Sequence, residues 1–188
     1  MSFDLQSAER RLKPQKDTKP LHERPPSALR WAANEPGTGG PILLDATVYI
    51  ETLRGRTPPE VDALLRTRSV FHSAVCLAEL THAFGRLDPN DPRTRKALDT
   101  IGNVIEHDIP RHRLFGPDIQ TWGEAGILTG KILRLTQIPA NRGLERKLLN
   151  DSLIYLQARK IGAAVLTRNR RDFDLINQLV PSGAAIFY

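Results

Sequence analysis

Four acidic side chains in this sequence occupy positions where an ordinary solvated face is not the simplest interpretation. If they converge, their charges oppose one another, because two unit charges about 4 Å apart repel by roughly 4 kcal/mol at an effective dielectric near 20. Converging carboxylates need either raised pKa values or a cation, and oxygen-only ligands favour Mg²⁺ or Mn²⁺. Such an ion can activate water for attack on a phosphodiester. The four residues are Asp45, Glu79, Asp151 and Asp172.

Two of these acids have informative sequence neighbours. Asp45 directly follows an apolar stretch at 42–44 that predicts a buried strand, although capping of the next helix is an open alternative. Asp151 has apolar residues three positions before it and three and four positions after it, so it interrupts a buried helix face. Asp99, by contrast, lies on an ordinary solvated face. Asp151 is therefore the acid that a purely structural role explains least well.

The other two acids have simpler alternatives. Glu79 lies about one turn into a helix predicted at 75–87, where the helix dipole alone favours a carboxylate. Asp172 follows a strand predicted at 163–167, where Asn169 and Asp172 can cap a short helix. The argument for a site therefore depends on the four acids together rather than on either of these alone.

Short apolar segments alternate with helical patterns from residue 40 onward. This alternation predicts a three-layer α/β/α sandwich with a central, mainly parallel sheet of four to five strands. Ligands of such sheets gather outside the carboxyl ends of the strands, which is where the acids are expected. The predicted strands are 42–44, 69–74, 113–115, 163–167 and 184–188, and the principal predicted helices are 75–87, 118–135, 145–160 and 170–179.

Residues 1–39 differ in composition from the rest of the chain. They are rich in Pro, Lys, Arg and Gly and poor in branched aliphatic residues, so they bury too little surface to offset their ordering entropy. We expect a flexible basic extension at 1–39 and one compact domain over 40–188. The "GTGG" at 37–40 precedes a strand and lacks the Lys-Ser/Thr of a P-loop.

The composition narrows the class of partner and the compartment. The chain has 188 residues and a formal net charge of +6, which favours a polyanionic partner such as RNA or DNA. With Cys76 as the single cysteine, neither an intrachain disulfide nor a cysteine zinc site is possible. The first residues lack the apolar core of a signal peptide, and no apolar run approaches the roughly 18 residues of a membrane span. We expect a cytoplasmic protein.

Three stretches, taken in order, resemble the motifs of the PIN-domain ribonucleases, particularly the VapC-like toxins of type II toxin–antitoxin systems. "LLDATVYI" resembles the first motif, with Asp45 and Thr47, and "HSAVCLAEL" the second, with Ser73 and Glu79. "LLNDSLIYLQARKIGAAVLTRNRRDF" is similar to the third and fourth motifs run together. The resemblance covers about residues 41–188 and leaves the N-terminal segment outside.

The resemblance implies a PIN-like nuclease domain that hydrolyses single-stranded RNA internally with Mg²⁺ or Mn²⁺. The four acids would be the catalytic residues and the metal ligands. The resemblance leaves Asp174 as an alternative to Asp172, which directly precedes the matching Phe173. Side chains that would orient the ligands are Thr47, Ser73, Thr167 and Asn169.

The resemblance also implies partners. Arg168, Arg170 and Arg171 flank the acids and would bind RNA phosphates, although a solvated loop is an alternative, and Arg142, Arg146 and Lys147 would extend this basic track. An antitoxin protein and a second copy of the chain in a homodimer are further expected partners. The alternatives are a free-standing RNA-processing nuclease and a non-catalytic RNA-binding module.

Overall fold

A computed structural model of the protein describes residues 2–137, 139 and 141–188. Within this part of the chain, five short strands form one sheet in the order β3-β2-β1-β4-β5, and every neighbouring pair is parallel. The strands are β1 (Ile42–Leu44), β2 (Val70–Ser73), β3 (Leu114–Phe115), β4 (Ala164–Thr167) and β5 (Ala185–Phe187).

Helices connect the strands and cover both faces of the sheet. Among the described residues, none of the helices is both long and apolar enough to cross a membrane. The helices are α1 (Leu5–Leu12), α2 (Ala46–Leu53), α3 (Pro59–Thr67), α4 (Ala74–Arg86), α5 (Pro92–Asn103), α6 (Ile119–Thr136), α7 (Arg142–Lys160) and α8 (Arg170–Leu179), with a short π-helical turn at Val104–Asp108.

The predicted fold class is confirmed: the protein has a central parallel sheet flanked by helices in a three-layer α/β/α arrangement. The strand order places β2 on one side of β1 and β4 on the other, so the connections run in opposite directions from β1. Open parallel sheets bind ligands in the crevice outside the carboxyl ends of the strands at such a switch point. Asp45 follows β1, and residues 168–172 follow β4, at this crevice.

Local sequence explains the central elements. All the residues of β1 and β4 are buried, as expected for strands covered on both faces. The chain turns from α7 into β4 through Gly162, whose φ of +70° lies in the left-handed region that favours glycine, in keeping with its predicted role after the helix. Two strands and a glycine turn therefore set the position of the residues that follow β1 and β4.

The N-terminal segment differs from the flexible tail that its composition predicts. Helix α1 packs on α6 with Leu12 buried, and the Leu21 amide donates to the Leu135 carbonyl at 3.0 Å. Trp31 forms a parallel bridge with Phe187, which extends the β5 edge of the sheet. Composition underestimated this segment because a few well-spaced apolar residues and ion pairs attach it to the body. The boundary at residue 40 remains a prediction.

A partly buried ion pair attaches the segment to α8. The Asp174 carboxylate is 1% exposed and accepts hydrogen bonds from the Arg24 amide at 2.7 Å and from Arg24 Nε at 2.6 Å. A buried carboxylate that loses its cation retains the cost of desolvation without the compensating attraction. Arg24 is therefore a main anchor of residues 1–39.

We expect Arg24→Gln to lower the free energy of unfolding by about 1–3 kcal/mol, since a charge-assisted hydrogen bond to a buried group is lost. Adding Asp174→Asn should recover part of this loss, because a neutral amide needs no cation. Urea unfolding measures both variants. As a control, Arg93→Gln breaks a solvent-exposed pair with Asp91 and should leave the free energy of unfolding essentially unchanged. A loss for Arg24→Gln no larger than the control's would contradict the anchoring role.

Candidate active site

Asp45 lies at the carboxyl end of β1 and is 3% exposed. One carboxylate oxygen, Oδ2, accepts hydrogen bonds from the Thr47 hydroxyl at 2.7 Å and from the Thr167 hydroxyl at 2.8 Å. Burial raises the pKa of Asp45, and these hydroxyl groups oppose the rise. The carboxylate also caps α2, so both interpretations of its position, cap and site residue, describe the same side chain.

Asp151 and Asp172 lie on either side of one asparagine. Asn169 Nδ2 donates to Asp151 Oδ2 at 2.9 Å and to Asp172 Oδ2 at 3.0 Å. Both carboxylates are buried, at 5% exposure each. A single amide group therefore bridges two acids that would otherwise repel each other. Asn169 also caps α8, as predicted, through its side-chain oxygen.

The two bridged acids have opposite pKa shifts. Burial, with the charges of Asp45 and Asp172, raises the pKa of Asp151 well above its usual value. Burial alone would raise the pKa of Asp172 as well. An ion pair with Lys147 Nζ at 2.7 Å and the hydrogen bond from Asn169 outweigh burial and hold this pKa below its usual value. Lys147 thus neutralises Asp172 and leaves Asp151 without a cationic partner among the described residues.

Glu79 lies on α4 at the rim of this acidic site. Its carboxylate accepts a hydrogen bond from Asn150 Nδ2 at 2.7 Å. Although the residue as a whole is exposed, partial burial of the carboxylate and the charge of Asp45 raise its pKa. Burial and the charges of Asp45, Glu79 and Asp151 also raise the pKa of the Cys76 thiol, which fits a buried packing residue better than a nucleophile.

The structure separates Asp172 from Asp174. Asp172 points to Lys147 and Asn169, whereas Asp174 is bound by Arg24. Of the two candidates for the fourth acid, the structure therefore brings Asp172 to the other carboxylates.

Thr167 and Ser73 were both predicted to orient the site carboxylates, but only Thr167 contacts one of them. The Thr167 hydroxyl contacts Asp45, but Ser73 donates to Gln157 Oε1 at 2.7 Å and caps α4 instead of contacting a site carboxylate. Ser73 is buried beneath the site because it ends β2 within the sheet, whereas Glu79 lies nearly two turns further along, on α4.

The predicted RNA-binding arginines already have acidic neighbours. Arg168 Nη1 pairs with Glu51 at 2.8 Å, while Arg170 and Arg171 lie 3.7 and 3.8 Å from Glu23. A cavity of about 350 Å³ instead opens beside Glu79, and basic side chains from α4 and α7 line it. These include His82, Arg146 and Lys147.

Sequence reasoning missed Asn150, Glu51 and Tyr188 at this edge of the sheet. Asn150 directly precedes Asp151, and Glu51 interrupts the apolar pattern of α2, so both carried a sequence signal. Tyr188 follows β5, and burial raises the pKa of its buried hydroxyl to about 12, with Thr47 and Asp45 as neighbours. Its position depends on the pairing of β5 with β4, which no local pattern reveals.

The chemistry of the donor set suits a hard divalent cation. All the candidate ligands are carboxylate oxygens, and the raised pKa of Asp151 marks a negative charge that a cation would stabilise. As placed in the described part of the chain, however, no three His, Cys, Asp or Glu side chains approach closely enough to hold a metal ion. Instead, Asn169 bridges Asp151 and Asp172, and Lys147 pairs with Asp172.

Comparisons with known proteins establish the fold. Neither a family model nor a curated protein matches the sequence. The chain is similar to a chain of FitAcB from Neisseria gonorrhoeae, with 21% identity, 78% of this chain and 96% of that chain covered, and a TM-score of 0.55. It is also similar to a chain of VapBC2 from Rickettsia felis bound to a promoter DNA fragment. The identity is 13%, the match covers 79% of this chain and 98% of that chain, and the TM-score is 0.55. A third similar chain comes from FitAB bound to the IR36 DNA fragment. Here the identity is 20%, the match covers 78% of this chain and 93% of that chain, and the TM-score is 0.53.

These comparisons correct the family assignment. Membership of the VapC-like PIN-domain ribonucleases, predicted from the motifs, is wrong as a family assignment, because the matches are to toxin–antitoxin complexes. The FitA and VapB components of such complexes are DNA-binding antitoxins rather than nucleases. Identities of 13–21% show a shared fold, and short motifs could not carry more because each contains few residues.

We expect Asp151→Asn to stabilise the metal-free protein at about pH 8 and to do so progressively less towards about pH 4. The folded-state pKa of Asp151 lies above its ordinary value of 3.8, so the folded state binds more protons than the unfolded chain between those values. Stability is therefore lost as the pH rises through this window, and a neutral amide removes the loss. Urea unfolding with a chelator measures the effect.

Asp99→Asn on exposed α5 is the matched control and should show no such pH dependence. If Asp151→Asn changes stability equally at both pH values, the raised pKa of Asp151 is contradicted.

Proposed function

We propose that this protein is a metal-dependent endoribonuclease that cleaves single-stranded RNA, as the toxin of a cytoplasmic type II toxin–antitoxin pair. The observation that carries this proposal is the burial of three carboxylates at the carboxyl edge of the sheet. Asp45, Asp151 and Asp172 are each no more than 5% exposed. Nothing in core packing calls for three charges at one place, and each is costly to bury.

Asp45, Asp151 and Asp172, with Glu79 at the rim, are the residues that would hold Mg²⁺ or Mn²⁺. When bound, such an ion would activate water and neutralise charge on the scissile phosphate. Lys147 Nζ donates to Asp172 Oδ2 at 2.7 Å, and Asp172 is one of the residues that would hold the ion. Lys147 therefore supplies one positive charge to the carboxylates.

The neighbouring residues orient the acids and bind the substrate. The Thr47 and Thr167 hydroxyl groups hold one oxygen of Asp45, and Asn169 holds Asp151 and Asp172. These contacts fix carboxylate orientation in the way that outer-shell groups do at metal sites. The basic cavity beside Glu79, with Arg146 and Lys147, is suited to the phosphates of an incoming strand.

The comparisons support the toxin–antitoxin part of the proposal, because the similar chains come from toxin–antitoxin complexes. We propose an antitoxin as the protein partner and a homodimer as the oligomeric state. A free-standing RNA-processing nuclease is the alternative that the same carboxylates would also serve.

With Mn²⁺ present, we expect the purified protein to cleave single-stranded RNA. Asp45→Asn and Asp151→Asn should each lower the rate at least about 100-fold, since even groups that only orient metal ligands typically cost roughly 10–100-fold. Gel analysis of a labelled oligoribonucleotide measures the rate. Asp99→Asn removes the same charge from an exposed helix face and should cleave as the parent does.

Two results would overturn this proposal. If both site variants cleave as fast as the parent, the carboxylates are not catalytic. If the parent binds RNA but does not cleave it, the non-catalytic RNA-binding alternative takes the place of the nuclease.

Metal binding has a readout that is independent of RNA. We expect Mn²⁺ to raise the stability of the parent by about 2.7 kcal/mol at 100-fold excess over its Kd, because it binds the folded carboxylates preferentially. The Asp45→Asn/Asp151→Asn double variant should lose this stabilisation, while Asp99→Asn should keep it. Thermal unfolding at several Mn²⁺ concentrations measures the effect. An equal stabilisation of the double variant would place the ion elsewhere.

A further inference from the structure

A second polar cavity lies at the opposite edge of the sheet from the acids. It has a volume of about 240 Å³ and is formed by the segments that lead into β1, β4 and β5. Since all strands are parallel, this edge carries their amino ends, and β4 separates it from the acidic edge by roughly 10 Å. The cavity is therefore distinct from the candidate active site.

Among the residues that the structure describes, three arginines and no acidic residue line this cavity. Arg30, Arg68 and Arg159 come from the N-terminal segment, the end of α3 and the end of α7. Glu35 holds Arg30 and Arg68 together through hydrogen bonds of 2.6 and 2.7 Å to its Oε2 atom. One carboxylate thus orients two guanidinium groups and leaves an excess of positive charge at the cavity.

Part of the donor capacity of these arginines is not used. The Arg68 side chain is 2% exposed, and its buried Nε has no hydrogen-bond partner within the described residues. Arg159 Nη1 makes a long bond of 3.4 Å to the Ser182 hydroxyl, and its Nη2 lies 3.7 Å from Glu124. A buried guanidinium N–H without an acceptor carries a desolvation cost. Arg30 and Arg159, whose side chains are 49% and 26% exposed, are the arginines that an anion in the cavity can reach directly.

The "GTGG" segment contributes to this arrangement, although it is not a P-loop. A side-chain carbon at Gly39 would lie 2.9 Å from the guanidinium carbon of Arg68, so glycine allows the backbone to lie against that group. Gly40 lines the cavity. The glycines therefore help to pack the chain onto a buried arginine beside a polar opening.

The size and charge of the cavity select the ligand. Its volume is below the roughly 300–1,000 Å³ typical of pockets for drug-sized molecules, so a small group fits it better than a whole nucleotide. The planar fork of a guanidinium matches phosphate oxygens. A neighbouring cavity of about 610 Å³ shares Arg30, Gly183 and Ala184 with this one. It has room for the rest of a molecule whose phosphate group occupies the smaller cavity.

We infer that the Arg30–Arg68–Arg159 cavity is a binding site for a phosphate group, independent of the carboxylate site. The group can come from free phosphate or from the terminal phosphate of a nucleotide or an oligoribonucleotide. This inference does not depend on RNA cleavage by the acids, and either can fail without the other.

The test is an NMR titration of the full chain without divalent cations and with a chelator, which prevents phosphate from binding through a metal at the acids. The probes are inorganic phosphate, a nucleoside 5′-monophosphate, and a short oligoribonucleotide with and without a 5′-phosphate. We expect saturable shifts at the Gly162 and Gly183 amides, which line the cavity.

Arg30→Gln and Arg159→Gln should each weaken binding about tenfold, as expected for the loss of one charge-assisted contact. These variants leave the buried Arg68 in place, and a one-dimensional spectrum verifies folding. If a glutamine variant is unfolded, Arg30→Lys and Arg159→Lys replace it and should also weaken binding by removing the bidentate geometry. The control is Arg95→Gln, which removes an exposed charge from α5 and should bind as the parent does.

The outcomes separate the ligand sources. Equal affinity for inorganic phosphate and the phosphorylated probes supports a site for free phosphate, whereas tighter binding of only the 5′-phosphorylated oligoribonucleotide supports an RNA end. The inference is overturned if no probe produces saturable shifts at concentrations on the order of 10 mM, which exceed a millimolar Kd. It is also overturned if the arginine variants bind as tightly as Arg95→Gln.

Discussion

The mutual repulsion of buried carboxylates is the constraint on which the acidic edge of this protein depends. Asp45, Asp151 and Asp172 come from three separate segments and are all removed from water. The surrounding residues reduce the repulsion in different ways: threonine hydroxyl groups bind Asp45, a lysine neutralises Asp172, and one asparagine amide bridges Asp151 and Asp172. Asp151 has the least compensation for its buried charge, and its pKa is raised well above the usual value. Such unevenly shifted acids are typical of functional sites.

The parallel sheet gives the two edges of the molecule opposite chemical characters. The acids lie beside the carboxyl ends of β1 and β4, whereas at the opposite edge Arg30 precedes β1, Arg68 precedes β2 and Arg159 precedes β4. The N-terminal segment contributes to the basic edge directly, since Arg30 and Glu35 belong to it and Trp31 pairs with Phe187 on β5. A segment whose composition predicts a flexible tail thus completes a charged cavity. The structural likeness to chains of toxin–antitoxin complexes covers 78–79% of this chain and accounts for the fold, while the chemistry of both edges has to be argued from their own side chains.

Much of the fold followed from pattern alone. Apolar segments of strand length separated by helical periodicity are sufficient to predict a parallel sheet between helices, because strands covered on both faces must be apolar throughout. The same logic placed Asp45 at a strand end and identified Asp151 as an acid on a buried helix face. The family assignment was inferred from short motifs that contain too few residues to establish a family, and it was wrong. The N-terminal segment was predicted poorly because the docking of Leu12 and the pairing of Arg24 with Asp174 join residues far apart in the chain.

The sequence by itself determined which residues carry charge in apolar surroundings and which edge of the sheet they would share, because strand direction and helix spacing are local properties. The tertiary structure decided which partners those charges meet. In the tertiary structure, Asp172 rather than Asp174 lies at the acidic edge, where it pairs with Lys147. Ser73 donates a hydrogen bond to Gln157. The tertiary structure also brought three arginines from distant segments to one cavity. Contacts of this kind depend on how helices and strands pack in three dimensions, and no local pattern of residues specifies them.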